Sequence, residues 1–162
     1  MFRCSEIFLN LLIEYYIPMD MKICILNSLG NESLSQIDSL LHQLSPSAPT
    51  VNSHRLAKLL EDADFKLFVA KNDENLIVGM LTLTACQMIS YTKYWIEDVI
   101  VDASCRGMGL GRALVKEAVS YVKEKETSPV IYLTSNPSRV SARNLYRSEG
   151  FEEYETGVFR IK

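Results

Sequence analysis

Following an apolar run that ends at Val101, the chain reads Arg106-Gly107-Met108-Gly109-Leu110-Gly111-Arg112, three alternating glycines between two arginines. Glycines at this spacing let the backbone turn tightly and aim several N–H groups one way at a helix start. That makes a site for an anion, most naturally a phosphate or pyrophosphate. The plainer alternative is a glycine-rich helix start that holds no ligand. Two other phosphate loops do not fit. A P-loop ends in Gly-Lys-Ser/Thr, where this chain has Gly111-Arg112-Ala113. A dinucleotide fingerprint is GxGxxG after a first strand, with an acid ending the next strand; here the spacing is GxGxG and the next strand ends Leu133-Thr134-Ser135.

Elsewhere the chain offers little reactive chemistry. Cys4, Cys24, Cys86 and Cys105 are scattered without a Cys-x-x-Cys pair, and His42 and His54 stand alone on predicted helices, so no metal is expected. The thiols read as reduced, as in a cytoplasmic protein, and Cys105 as a bystander to the loop, since no histidine is near it. Seventeen Lys and Arg against twenty Asp and Glu leave a formal charge of −3, which argues against nucleic acid or a membrane as partner. Any phosphate-bearing ligand must then be met by a local basic site.

The elements that must position the loop follow from length and periodicity. The 162 residues leave room for a single core. Ile7 to Ile13 is apolar but lies between Glu6 and Glu14, has no small-residue cleavage site after it, and is too short to span a bilayer. Residues 1–20 are therefore read as an extension or accessory segment, and 21–162 as the domain. Lys22 to Leu26 reads as a strand. Ser33-Leu34-Ser35-Gln36 reads as a capping box, opening a helix striped by Leu34, Ile37, Leu40, Leu41 and Leu44. A second helix shows Leu56, Leu59, Leu60 and Ala63 on one face. Phe65 to Lys71 and Leu76 to Ile89 form a predicted hairpin around Asn72-Asp73-Glu74-Asn75, and Tyr94 to Val101 is the next strand. The glycine loop opens a helix whose shared face is Leu110, Ala113, Leu114, Ala118, Tyr121 and Val122. Val130 to Thr134 reads as a buried strand, Arg139 to Glu149 as a helix stopped by Gly150, and Phe151 to Tyr154 with Val158 to Ile161 as a final hairpin. This order predicts an α/β sandwich on a mixed sheet, with a right-handed crossover from the Tyr94–Val101 strand to the Val130 strand.

Arg106-x-x-Gly109-x-Gly111, on the helix after Trp95-Ile96-Glu97-Asp98-Val99-Ile100-Val101, resembles the acyl-CoA loop of the GNAT superfamily of N-acetyltransferases. Ala142-x-x-Leu145-Tyr146-x-x-x-Gly150-Phe151 matches a second hallmark, and the element order from Met21 to Lys162 matches the family fold. The resemblance implies a single-domain fold: a mixed, mostly antiparallel sheet with a splayed parallel strand pair, flanked by about four helices. It implies that backbone N–H groups of Arg106, Gly107, Met108, Gly109, Leu110, Gly111 and Arg112 hold the pyrophosphate of acetyl-CoA. Val99, Ile100 and Val101 would bond the pantetheine arm through their main chain, and Asn136 and Asn144 would add further contacts. Many family members carry an asparagine seven residues before the tyrosine, where this chain has Arg139.

Acetyl transfer to an amine needs a neutral amine, a polarised thioester carbonyl and a protonated leaving thiolate. The family transfers directly in a ternary complex, which suits a chain without a Cys/His or Ser/His pairing. Tyr146 matches the tyrosine that protonates the leaving sulfur; the plainer reading is a helix tyrosine packed on the sheet. Period-two alternation places Trp95, Glu97, Val99 and Val101 on one strand face, and Ile96, Asp98 and Ile100 on the other. A carboxylate among apolar strand neighbours is partly desolvated, so Glu97 is the candidate base, with Asp98 or an ordered water as alternatives. Its plainer role is an ion pair. The acceptor is a small-molecule or peptide amine whose identity stays open, and a homodimer is allowed. The other reading is a catalytically inactive acyl-CoA-binding sensor of the same fold.

Overall fold

The computed structural model describes residues 21–30 and 32–161. The extension expected over residues 1–20 lies outside them. Five strands form one sheet in the order β1-β2-β3-β4-β5: β1 Lys22–Ile25, β2 Phe65–Lys71, β3 Ile77–Gln87, β4 Thr92–Val101 and β5 Val130–Leu133. The first three pairings are antiparallel and β4 pairs β5 in parallel, so the mixed sheet expected from the element order is present. The helices are α1 Ser33–Leu44, α2 Ser53–Glu61, α3 Leu110–Lys125 and α4 Val140–Ser148, with a short 3₁₀ turn at Ala103–Cys105.

Side-chain alternation divides the core between the two sheet faces. Phe68 and Ala70 of β2 point to one side, where α3 covers them with Leu110, Leu114, Val115, Ala118 and Val122. Leu67 and Val69 point to the other, against Ile37 and Leu40 of α1 and Leu56 of α2. The central strand β3 is buried from Ile77 to Leu83, because helices cover both its faces. Between β2 and β3 the turn closes with Asn75 at φ 62°, a left-handed conformation that asparagine tolerates well.

Two local expectations are corrected. Ser33 is not the cap of α1: Glu32 occupies that place without a side-chain cap, and the Ser33 hydroxyl bonds back to Gly30 N and O. Asn52 does cap α2, its side chain accepting from Arg55 N. The final hairpin is also absent, for residues 151–161 form no strand. Val158 and Phe159 break the alternation that a one-sided strand needs, and an isolated two-stranded hairpin is marginal without a face to cover. Side chains hold the start of the segment instead: Glu153 pairs with Arg143 and Arg147, and Tyr154 leans edge-on over Tyr132 of β5.

Candidate active site

The site begins with an irregularity in β4. Met80 lies opposite Ile100 but Thr82 lies opposite Glu97, so two residues of β4 face one of β3. This is a β-bulge, and Asp98 takes it up at φ 52°. An extra residue inverts the alternation, because the side-chain period is two. Tyr94 and Ile96 face α3 before the bulge, and Val99 and Val101 face it afterwards, while Ile100 joins the α1 side. The alternation expected for this strand is therefore corrected. Glu97 shares a face with Trp95 but not with Val99 and Val101, and it is exposed. The Asp98 carboxylate is held by a hydrogen bond from the buried hydroxyl of Thr82 at 3.2 Å.

Pairing between β4 and β5 runs from Lys93 with Val130 to Ile96 with Leu133 and stops there. Beyond it, among the described residues, Glu97 to Val101 has no strand neighbour on the β5 side. A cleft of about 320 Å³ opens at this point, lined by Leu44, Ile96, Glu97, Asp98, Val99, Thr134, Asn136, Arg139 and Tyr146. Among the expected site residues it brings together Glu97, Val99, Asn136 and Tyr146.

Tyr146 reaches the cleft because of how α4 ends. Gly150 N donates to Arg147 O and Phe151 N to Tyr146 O, with Gly150 at φ 87°: a Schellman motif. Its usual apolar contact is the pair Tyr146–Phe151, rings 6.2 Å apart and inclined at 66°. The Tyr-x-x-x-Gly-Phe spacing is thus the chemistry of a helix stop that also anchors the tyrosine ring. The phenol is 7% exposed. Burial raises its pKa, with the Arg139 charge opposing and the Glu97 charge adding to that rise. It stays protonated at neutral pH and can donate. Partial desolvation, followed by the neighbouring Asp98 charge, likewise raises the pKa of Glu97 from its ordinary value. The pair then has the protonation states of a proton acceptor and a proton donor facing one space.

The glycine loop lies at the end of β4. Gly107 and Gly109 stand at φ 81° and 79°, and Gly109 caps the 16-residue α3. A Cβ on either would meet nothing within 4 Å, so the space over both is open. Gly111 is tight instead: its Cβ would lie 3.3 Å from Leu145 and 3.8 Å from Val101, which seats the first turn of α3 against α4 and β4. No acid stands in that first turn, and Lys123 and Lys125 close the last one, so the positive end of the dipole meets the loop unopposed. Arg106 and Met108 are exposed, Leu110 is buried, and Arg106 Nε donates to Val101 O. Arg112 points elsewhere, its guanidinium engaged by the Glu149 carboxylate at 3.0 Å and the Ser148 hydroxyl.

Asn136 accepts from Ser138 N and Oγ and shapes the turn before α4. Asn144 is exposed and accepts from Arg147, away from the cleft lining. Sequence reasoning missed the bulge, the Thr82 contact and the place of Leu44 and Arg139 in the cleft. Only Arg139 had a signal, as a departure from the family pattern.

No curated protein matches the chain in sequence. Solved structures do. An acetyltransferase of Trypanosoma brucei is 26% identical, with 88% of this chain and 99% of that one covered at a TM-score of 0.72. An aminoglycoside acetyltransferase from an uncultured soil metagenomic sample, in complex with trehalose, is 24% identical over 90% and 99%, at 0.73. An aminoglycoside N-acetyltransferase in complex with CoA is 20% identical over 88% and 94%, at 0.71, and supports the fold alone. The profile of the Acetyltransferase (GNAT) family matches residues 34–151, from α1 through the Schellman motif. The chain belongs to the GNAT acetyltransferase family.

Proposed function

We propose that the protein is an acetyl-CoA-dependent N-acetyltransferase acting on a primary amine by direct attack in a ternary complex. The observation that carries the reading is the meeting of Glu97 and Tyr146 on one cleft, where the β4–β5 pairing stops. The residues fit the co-substrate: the backbone over Gly107 and Gly109 is open, and the α3 N-terminus has no acid in its first turn. The N–H groups from Arg106 to Arg112 would hold the pyrophosphate, and the main chain of Val99, Ile100 and Val101 the pantetheine arm. Asn136 and Asn144 are proposed as further contacts, Asn144 at the outer end. Bound acetyl-CoA supplies an activated acetyl thioester.

The chain's own groups would move the protons. Glu97, its pKa raised, accepts a proton from the incoming amine directly or through water; Asp98 is held by Thr82 beside it and strengthens its hold on that proton. Tyr146 donates its phenolic proton to the departing sulfur. Thr134 and Asn136 border the cleft and orient what enters. Two carboxylates at the mouth favour an acceptor that arrives as a cation, which suits a small-molecule or peptide amine. The aminoglycoside acetyltransferases among the similar structures support an acceptor of the small-molecule kind.

Following thiol release from acetyl-CoA across a panel of amines tests the reading. Turnover with at least one primary amine, abolished by Glu97→Gln together with Tyr146→Phe, is expected. Tight acetyl-CoA binding by calorimetry with no turnover on any amine would leave a sensor of the same fold; no binding would remove both.

A further inference from the structure

Arg139 is the one arginine of the α4 region without a carboxylate partner among the described residues. Arg112 pairs with Glu149, and Arg143 and Arg147 both pair with Glu153. Arg139 caps α4 and lines the cleft with Glu97, Asp98 and Tyr146. Seven residues separate it from Tyr146, and the two meet at the cleft from the N-cap and the last turn of the same helix. Helical side chains lean towards the N-terminus, which carries the phenol of Tyr146 towards the end of α4 where Arg139 stands. The charged groups around the phenol are Arg139 on its own helix and Glu97 and Asp98 on β4. The α3 side of its cluster, with Leu110 and Leu114, is apolar.

We propose that Arg139 is a positioning residue for thiolate release, acting through Tyr146: its fixed positive charge favours the transfer of the phenolic proton to the departing sulfur. The step balances as follows. The acceptor nitrogen bonds to the acetyl carbon as the carbon–sulfur bond breaks. The nitrogen loses a proton to Glu97, the sulfur gains one from Tyr146, and solvent restores both side chains. While the phenol is deprotonated, Arg139 supplies the counter-charge. The direction agrees with the electrostatics of the resting protein, in which Arg139 opposes the rise that burial imposes on the phenol. Glu97 pulls the other way, so an uncompensated cation is what this cleft requires if Tyr146 is to be an effective acid.

The inference rests on the acetyltransferase reading, but its principal test needs no turnover. Tyrosine labelled with ¹³C at Cζ gives one resonance per phenol, and the one lost in Tyr146→Phe reports Tyr146 in the free protein. Its titration is expected to move to higher pH in Arg139→Gln and to return towards the parent in Arg139→Lys. In turnover, Arg139→Gln should lower kcat about 1.5- to 5-fold, the scale of one exposed charge, with the acetyl-CoA Kd unchanged. The alkaline limb of kcat should follow the phenol upwards. An unmoved Tyr146 titration overturns the proposal, whatever happens to rate. A weakened acetyl-CoA Kd with an unmoved titration also overturns it, making Arg139 a ligand anchor. If the titration moves while no amine is acetylated by the parent, the coupling stands and the acetyltransferase reading is what fails.

Discussion

Replacing Gly109 by alanine separates two demands on the same residue. At φ 79° an L-residue is strained, at about 1–2 kcal/mol, whereas the open space within 4 Å of the new Cβ adds no clash. For a chain of this length each kcal/mol lowers Tm by about 2–4 °C, so a fall of about 2–8 °C is expected. That open space is where the loop would meet a pyrophosphate. A methyl group that displaces one charge-assisted hydrogen bond costs about 1.5–3 kcal/mol, or roughly 10- to 150-fold in the Kd of acetyl-CoA. Gly109→Asn discriminates the two, because asparagine tolerates the left-handed conformation yet still projects a side chain. It should recover most of the Tm and none of the affinity. Calorimetric titration and a thermal melt measure both quantities on the same samples. Parent affinity in Gly109→Ala at a lowered Tm would refute the placement of the ligand; a parent Tm would refute the conformational argument.

Tyr146→Phe keeps the ring against Phe151 and removes the donor, so kcat should fall about 10- to 1000-fold with acetyl-CoA affinity and Tm nearly unchanged. Steady-state kinetics on a responsive amine check it, and equal losses for thioesters of good and poor leaving thiols would make the residue a positioning group. Glu97→Gln should abolish turnover yet raise Tm at neutral pH. Its folded pKa lies above the unfolded one, so the carboxylate destabilises the native state above that folded pKa. The Tm gap should therefore close as the pH falls through the folded pKa and below the unfolded value of about 4.3. Gly150→Ala strains the helix stop at φ 87°, and it should lower Tm by about 2–8 °C while reducing kcat more than Gly150→Asn does.

Much of this architecture is legible because it rests on periodicity. The α3 stripe from Leu110 to Val122 and the strand at Val130 appear where the sequence pattern places them, although β5, at the sheet edge, is half-buried rather than buried as expected. The Tyr146-to-Phe151 spacing is legible for a stereochemical reason: a glycine four residues after the tyrosine closes the helix and sets the ring contact. The bulge at Asp98 is not legible. Nothing in Glu97-Asp98-Val99 marks a positive φ, and the displaced pairing becomes evident only opposite Thr82. Nor does local sequence show that Arg112 is engaged by Glu149, a residue from a different helix end. The missing C-terminal hairpin has the opposite cause, for strand-like composition without a surface to cover does not make a ladder.

Where β5 parts from β4, the main chain of Glu97 to Val101 is in effect a sheet edge turned inward. Edges on an outer rim invite other polypeptides and must be defended with charge or proline. This one lies within a cleft that Thr134, Asn136, Arg139 and Tyr146 also line. A slender, flexible molecule that bonds to peptide groups is the natural partner for such an edge. Peptide groups are the same whatever residue bears them, so such a groove judges a visitor by width and hydrogen-bond spacing rather than by side-chain identity. Val99, Ile100 and Val101 could then drift among apolar types without changing what lies there.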